Sequence, residues 1–255
     1  MHLGLEGKVI LVTGGTKGIG RSIVTGFLEE GAIVHFCSRT GLDVEAAQNK
    51  LSTDFPNAKA IGAVVDVSDP DQVRSWVTQC AEKSGPVDVV VSNVSSLALA
   101  DTEANWHAMF QTDMMGTFHL IDAAMPYLVR TKGNIVSIAS VSGRGIDFAA
   151  PSPYNSIKSA IISYTAQLAH SLAPKSIRAN TVSPGNTYVE DGVWGNMKRS
   201  NPALYESQLS LNPMGRMGTG EEVANAVLFL ASAKASFISG ANLNVDGALC
   251  TGIQF

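Results

Sequence analysis

Tyr154 and Lys158 stand four residues apart in Tyr154-Asn-Ser-Ile-Lys158, a spacing that puts both side chains on one face of a helix. A free phenol ionises only near pH ~10 and is a poor acid or base at neutrality; a neighbouring ammonium stabilises the phenolate and brings it towards the range in which it can exchange protons. The chemistry on offer is general acid–base catalysis at an oxygen. The pair is too common a pattern to carry meaning alone. Upstream, Gly133-Asn-Ile-Val-Ser-Ile-Ala-Ser140 reads as a strand ending in Ser140, with Gly143 just beyond. In open α/β sheets ligands bind outside the carboxyl ends of strands, where the Ser140 hydroxyl could donate to a carbonyl oxygen. Ser137 and Ser142 compete for that role, and a plain polar strand end is the alternative.

A second group could hold a phosphate. Thr13-Gly14-Gly15-Thr16-Lys17-Gly18-Ile19-Gly20 follows the first apolar run. Glycines at a strand-to-helix turn let the backbone approach a pyrophosphate, which then rests on the free N–H groups of the helix. The spacing is GxxxGxG rather than GxGxxG, and an ordinary tight turn is the alternative. The next strand ends His35-Phe36-Cys37-Ser38-Arg39, with no carboxylate to hold a ribose 2′-hydroxyl. Arg39 is suited instead to a 2′-phosphate, because a guanidinium forks onto phosphate oxygens, and Lys17 is a second cation for the same group. Either alone could be a solvated surface charge. Together, with no acid at the strand tip, they favour NADP(H).

These groups need a scaffold that gathers strand ends. Strands are expected at Val9–Val12, Ile33–Cys37, Ile61–Val65, Val87–Val91, Asn134–Ile138, Ile177–Val182 and Leu243–Val245. Helical stretches fall between them near 18–30, 43–53, 70–83, 103–128, 154–173 and 220–232. Asp69-Pro70 supplies an acidic cap and a first-turn proline. Strands separated by helices predict an α/β fold, a doubly wound parallel sheet with helices on both faces. No linker or repeat interrupts the chain, so 1–255 reads as one domain. The least regular stretch, 186–215, reads as a substrate loop.

Composition narrows the classes. Of the 255 residues 45% are hydrophobic and 16% charged, which suits a large core and not disorder. The net charge of -4 argues against a nucleic-acid surface. No apolar run reaches the roughly 18 residues of a membrane span, and Met1–Gly7 lacks a signal peptide's apolar stretch. Cys37, Cys80 and Cys250 are scattered, which fits a reducing compartment, with the cytoplasm as the expectation. His2, His35, His107, His119 and His170 show no metal-ligand spacing, so no metal is expected.

Across nearly its whole length the chain resembles the short-chain dehydrogenase/reductase family, whose fold is of the Rossmann type. The matching features occur in order: the turn at 13–20, Asp66-Val67, Asn93, Ser140, Tyr154 with Lys158, Pro184-Gly185, Pro213-Met-Gly-Arg-Met217 before Glu221-Glu-Val-Ala224, and Asp246-Gly247. The resemblance implies that Tyr154 is the acid in reduction and the base in oxidation. Lys158 would bind the nicotinamide ribose and lower the tyrosine pKa, and Ser140 would orient the substrate oxygen. Ile19 would approach the pyrophosphate, Asp66 and Val67 the adenine, Asn93 the ribose, and Pro184 to Thr187 the carboxamide. It also implies a homodimer or homotetramer with 103–128 and 154–173 between subunits. Met114, Met115, Phe118, Ile161 and Ile162 permit that, although core burial would explain them equally.

Ser92-Asn93-Val94-Ser95 departs from the family's Asn-Asn-Ala-Gly, and Asp113 in Phe110-Gln-Thr-Asp113 stands where the family carries a catalytic Asn. Asn both donates and accepts to the water relay behind the lysine, whereas ionised Asp only accepts. Two readings stand: Asp113 runs the relay with a shifted pH optimum, or it is merely tolerated. The substrate pocket is expected from 141–153 and 186–211. Phe148, Tyr188, Trp194 and Met197 favour a fairly apolar ketone or secondary alcohol, such as a ring ketone or a secondary metabolite. Arg144, Asp147, Glu190 and Asp191 are charges that solvent alone could satisfy. The alternatives are a cofactor-binding sensor or scaffold with little turnover, and an isomerase or cyclase reusing the tyrosine.

Overall fold

The computed structural model describes residues 2–145 and 151–251. Its centre is a seven-stranded, wholly parallel sheet of order β3-β2-β1-β4-β5-β6-β9. The strands are β1 Val9–Thr13, β2 Ile33–Ser38, β3 Lys59–Val64, β4 Val89–Ser92, β5 Asn134–Ile138, β6 Arg178–Pro184 and β9 Asn242–Val245. β7 Thr187–Tyr188 and β8 Gly218–Thr219 pair separately. Every residue of β1, β4 and β5 is buried, as strands covered on both faces require. β3 lies at an edge, is more exposed, and starts two residues before the expected Ile61.

Helices α1 Gly18–Glu29, α2 Gly41–Asp54 and α9 Gly220–Ala231 lie against one face of the sheet. α1 buries Gly20, Ile23, Val24, Phe27 and Leu28, a stripe at helical spacing. Gly26 lets α9 approach, since a Cβ there would stand 3.2 Å from a Leu228 methyl carbon. The other face is covered by α3 Pro70–Ser84, α5 Gly116–Thr131 and α6 Pro153–Leu172. Asp69 caps α3 by accepting from Asp71 N at 2.9 Å and Gln72 N at 3.2 Å, as its place before Pro70 predicts. After β3 at one edge the chain returns to lay β4 beside β1, so the strand order reverses there. The crevice at that reversal is where open α/β sheets bind ligands.

The structure corrects two expectations. The stretch 103–128 is not one helix. α4 Glu103–Met109 passes into a π-helical turn, Phe110–Met115, before α5 begins. The stretch 186–215 is more regular than its composition suggests, holding α7 Val193–Ser200 and α8 Pro202–Leu209 besides β7. These helices escape a periodicity reading because each is only eight residues long, too short for an apolar stripe to repeat. Ile161 fills the chain's own core with Met109, Ala139 and Ile157, so it is not a subunit contact. Among the described residues no helix is long and apolar enough to cross a membrane.

His35 lies in β2 with 1% of its surface exposed, its Nε2 2.9 Å from Ser84 Oγ. Burial, with a smaller contribution from Lys83, pushes its pKa down to about 4. The unfolded chain therefore takes a proton between pH 6.5 and about 4 that the folded chain refuses. The stabilisation is full above pH 6.5 and drains away as pH falls towards 4. Moving from pH 7 to pH 5 should cost about 1–2 kcal/mol through this group once solvent screening is allowed for. In His35→Gln, that part of the melting-temperature loss disappears; an unaltered slope would show that the group does not titrate in this way. The thiols of Cys37 and Cys80 are buried and pushed up to about 12, which disqualifies both as nucleophiles near neutrality.

Candidate active site

Ser152 starts α6, accepting from Tyr154 N at 3.2 Å while donating to Leu99 O at 2.8 Å. The helix start is thereby tied to the loop that follows β4. Tyr154 occupies the first turn, and Lys158 follows one turn on, only 2% exposed. The lysine Nζ lies 5.6 Å from the Tyr154 ring centroid and donates to Ile138 O at 3.4 Å. The phenol and ammonium thus share one helix face at the carboxyl end of β5, as the four-residue spacing requires.

Ser140 follows β5 and caps a 3-10 turn, Val141–Gly143, its Oγ accepting from Ser142 N at 3.2 Å. With the oxygen engaged as acceptor, its hydrogen is the part that can be donated to a substrate oxygen. Gly143 allows this turn to press on α6, because a Cβ there would lie 2.8 Å from the Lys158 carbonyl carbon. Ser137, the competitor, is fully buried and accepts from Thr165 Oγ1 at 2.9 Å. It is a core hydrogen bond, not a cleft residue.

Asp113 comes from the π-helical turn, a departure from helical register that recurs at functional sites. It is wholly buried, and its Oδ2 lies 3.1 Å from Lys158 Nζ. That oxygen has no aligned hydrogen bond, so its attraction to the ammonium is ionic. Oδ1 accepts from Ser96 N at 2.8 Å, and the Asp113 carbonyl accepts from Thr117 Oγ1 at 2.7 Å. Thr117 Oγ1 is in turn 2.7 Å from Ser92 Oγ at the end of β4. Ser96 and Thr117 give no sign in the sequence, since each meets a partner distant in the chain, whereas Ser152 before Pro153 carries the same cap signal as Asp69 before Pro70.

The strand-end crevice fits a dinucleotide. Gly14 and Gly18 take φ of 68° and 61°, which favour glycine, and a Cβ on Gly18 would meet nothing within 4 Å. The N-cap of α1, Lys17, is extended and makes no side-chain cap, so the first N–H groups of the helix are left for an anion. Gly20 permits the tight turn, since a Cβ would stand 2.1 Å from Gly14 O. Asn93 Nδ2 donates to Thr13 O at 3.1 Å and Gly14 O at 3.2 Å, so Asn93 braces the turn. Thr16 and Ile19 are half-buried beside it.

Ser38 stands at the tip of β2, followed by exposed Arg39. Lys17 Nζ lies 3.4 Å from Asp43 Oδ2, an acid in the first turn of α2 that the sequence reading passed over. Asp66 closes a turn by accepting from Ser68 N and Oγ at 3.0 and 2.7 Å. The Val67 side chain packs against Gly116, and the Val67 carbonyl oxygen lies 3.0 Å from His119 Nδ1. Pro184 ends β6, Gly185 N donates to Val245 O at 3.0 Å, and Thr187 Oγ1 donates to Gly185 O at 3.1 Å.

The expected substrate residues divide. Tyr188 belongs to a cluster in which Lys198 Nζ lies 5.5 Å from its ring and 5.4 Å from that of Tyr205. Glu190 is exposed and paired with Arg199, while Asp191 and Arg144 face solvent. Trp194 and Met197 are half-buried on α7. Asp147 and Phe148 lie outside the described residues. Among the described residues, no group of three or more His, Cys, Asp or Glu could hold a metal ion.

Comparison with known proteins agrees with this fold. The family model described as enoyl-(acyl carrier protein) reductase matches residues 14–249. An isoepoxydon dehydrogenase of Penicillium expansum is 37% identical over 254 residues, covering 99% of this chain and 98% of the relative. A 3-oxoacyl-(acyl-carrier-protein) reductase of Thermotoga maritima is 33% identical, covering 96% and 98%. L-sorbose reductase of Gluconobacter frateurii, solved with NADPH and L-sorbose, superposes with a TM-score of 0.89 at 25% identity, covering 99% of this chain and 100% of that one. An NADPH-bound short-chain oxidoreductase of Pseudomonas aeruginosa, described as having an atypical catalytic centre, gives 0.87 at 30% identity, covering 96% and 98%. The sheet order, the glycine turn and the Tyr154–Lys158 pair, taken with these matches over nearly the whole chain, establish that it belongs to the short-chain dehydrogenase/reductase family.

Proposed function

We propose that the protein is an NADP(H)-dependent oxidoreductase that interconverts a ketone and a secondary alcohol on a fairly apolar small molecule. The observation that carries this reading is the phenol of Tyr154 held beside the buried ammonium of Lys158 at the carboxyl end of β5. NADP(H), when bound, supplies or accepts the hydride. In reduction the Tyr154 hydroxyl gives its proton to the carbonyl oxygen, and in oxidation the phenolate removes the alcohol proton. Ser140 donates to the same oxygen and fixes its position. The Lys158 ammonium stabilises charge on the phenol oxygen and is placed to hold the ribose. The glycine turn and the start of α1 would seat the pyrophosphate, with Asn93 holding the turn in shape. Trp194 and Met197 on α7 support an apolar substrate. Exposed Phe110, which opens the π-helical turn, and Phe118, at the start of α5, support a dimer or tetramer.

Following NADPH and NADH absorbance against a panel of ring and open-chain ketones tests the reading, with Tyr154→Phe as the control. Tyr154-dependent oxidation of NADPH by at least one ketone is expected. Binding of cofactor without turnover of any ketone would overturn it in favour of a sensor, and a product of unchanged mass would favour an isomerase.

Cofactor choice rests on Arg39 and Lys17. Charge-assisted hydrogen bonds to a phosphate contribute about 1.5–3 kcal/mol. Arg39→Asp should therefore weaken NADPH binding by roughly 10–100-fold while improving NADH, because the new carboxylate can accept from a 2′-hydroxyl. Fluorescence titration of both cofactors measures this. An unchanged NADPH affinity would remove Arg39 from the phosphate site.

A further inference from the structure

We infer that Asp113 is a positioning residue that sets the charge felt by the catalytic phenol: its carboxylate, locked between Lys158 and the backbone of Ser96, offsets part of the ammonium's field at Tyr154. The inference rests on the function proposed above and assigns one more residue to that same site. The carboxylate has no solvent exposure and lies 3.1 Å from Nζ, so water does not screen the pair as it would on a surface. The ammonium itself stands 5.6 Å from the phenol ring. A negative charge immediately behind the positive one opposes its effect on any proton held by Tyr154. Ser96 N–H, 2.8 Å from Oδ1, fixes the carboxylate's orientation and links it to the loop after β4.

The groups that face this pair come from several elements. α6 contributes Tyr154 and Lys158, and the π-helical turn contributes Asp113. β5 and the turn after it contribute the Ile138 carbonyl and the Ser140 hydroxyl, and the loop after β4 contributes the Ser96 N–H. Arg144, at the far end of that turn, is exposed and screened. Among the described residues the paired charges inside the site are thus the ammonium and the carboxylate, and removing one leaves the other without its described partner.

The test is the pH dependence of kcat/KM for alcohol oxidation, in which the rate rises as Tyr154 loses its proton. Asp113→Asn keeps the size of the side chain and an oxygen for Ser96 N–H, and deletes the charge. The rising limb should move to lower pH by about one unit, the size of a charge effect felt over several ångströms at an intermediate dielectric. Asp113→Glu retains the charge, so its limb should return to within a few tenths of a unit of the native position even if turnover falls. A limb that stays put in Asp113→Asn, or that moves a full unit in Asp113→Glu, overturns the inference. If the Asn variant does not fold, Asp113→Ser, which also deletes the charge, takes its place, and a limb that stays put there overturns the inference. The function proposal fails differently, through the absence of Tyr154-dependent turnover in the native protein at every pH.

Discussion

Tyr154→Phe is expected to lower turnover by about 10²–10⁴-fold, the usual contribution of a positioned general acid or base, while cofactor affinity stays within about twofold. The substitution deletes one hydroxyl. The cap at the start of α6 uses the Tyr154 backbone N–H, and the ammonium beside the ring faces an aromatic surface that Phe retains. Folding and the seating of the dinucleotide should therefore be untouched, and the loss should appear in kcat rather than in KM. Single-turnover kinetics with NADPH, alongside a melting curve, would check both halves. A residual rate above about a tenth of native would mean that another group delivers the proton and that the Tyr154–Lys158 pair does not perform the chemistry.

The second large effect concerns stability. Asp113→Ala should destabilise the protein by about 3–5 kcal/mol, because it strands an ammonium that is buried and within reach of little besides a carbonyl at 3.4 Å. The Ser96 N–H loses its acceptor in the same step. For a chain of this size that is a fall of roughly 10 °C in melting temperature. The pair itself contributes far less, since burying two charges costs much of what their attraction returns. Combining Asp113→Leu with Lys158→Met should therefore recover most of the loss, though not activity. Denaturant unfolding of both single variants and the double variant would expose the coupling. If their losses simply add, the two charges are not a pair in solution.

Both experiments act on residues whose types and spacing were legible before any coordinates. Four residues along a helix must bring Tyr154 and Lys158 to one face, and an apolar run followed by glycines must end at a turn open to an anion. Local rules of this kind depend only on backbone geometry, which is why β5 begins and ends where its pattern predicts and α3 begins at its Asp-Pro cap. Where elements were short the reading failed: α7 and α8 span eight residues each, too few turns for an apolar stripe to repeat.

The sequence by itself determined the parallel α/β order, the shared helix face of Tyr154 and Lys158 and the glycine turn after β1, because each follows from the periodicity or spacing of neighbouring residues. Tertiary structure alone decided that Asp113 meets Lys158, since the two lie on separate elements and no periodicity announces the π-helical turn that carries Asp113. It also decided that Asn93 braces Gly14, that Ser137 belongs to the core, and that Tyr188 packs beside Lys198. Each of these contacts joins segments whose distance in space is set by how the layers pack, a quantity that no local pattern of residues encodes.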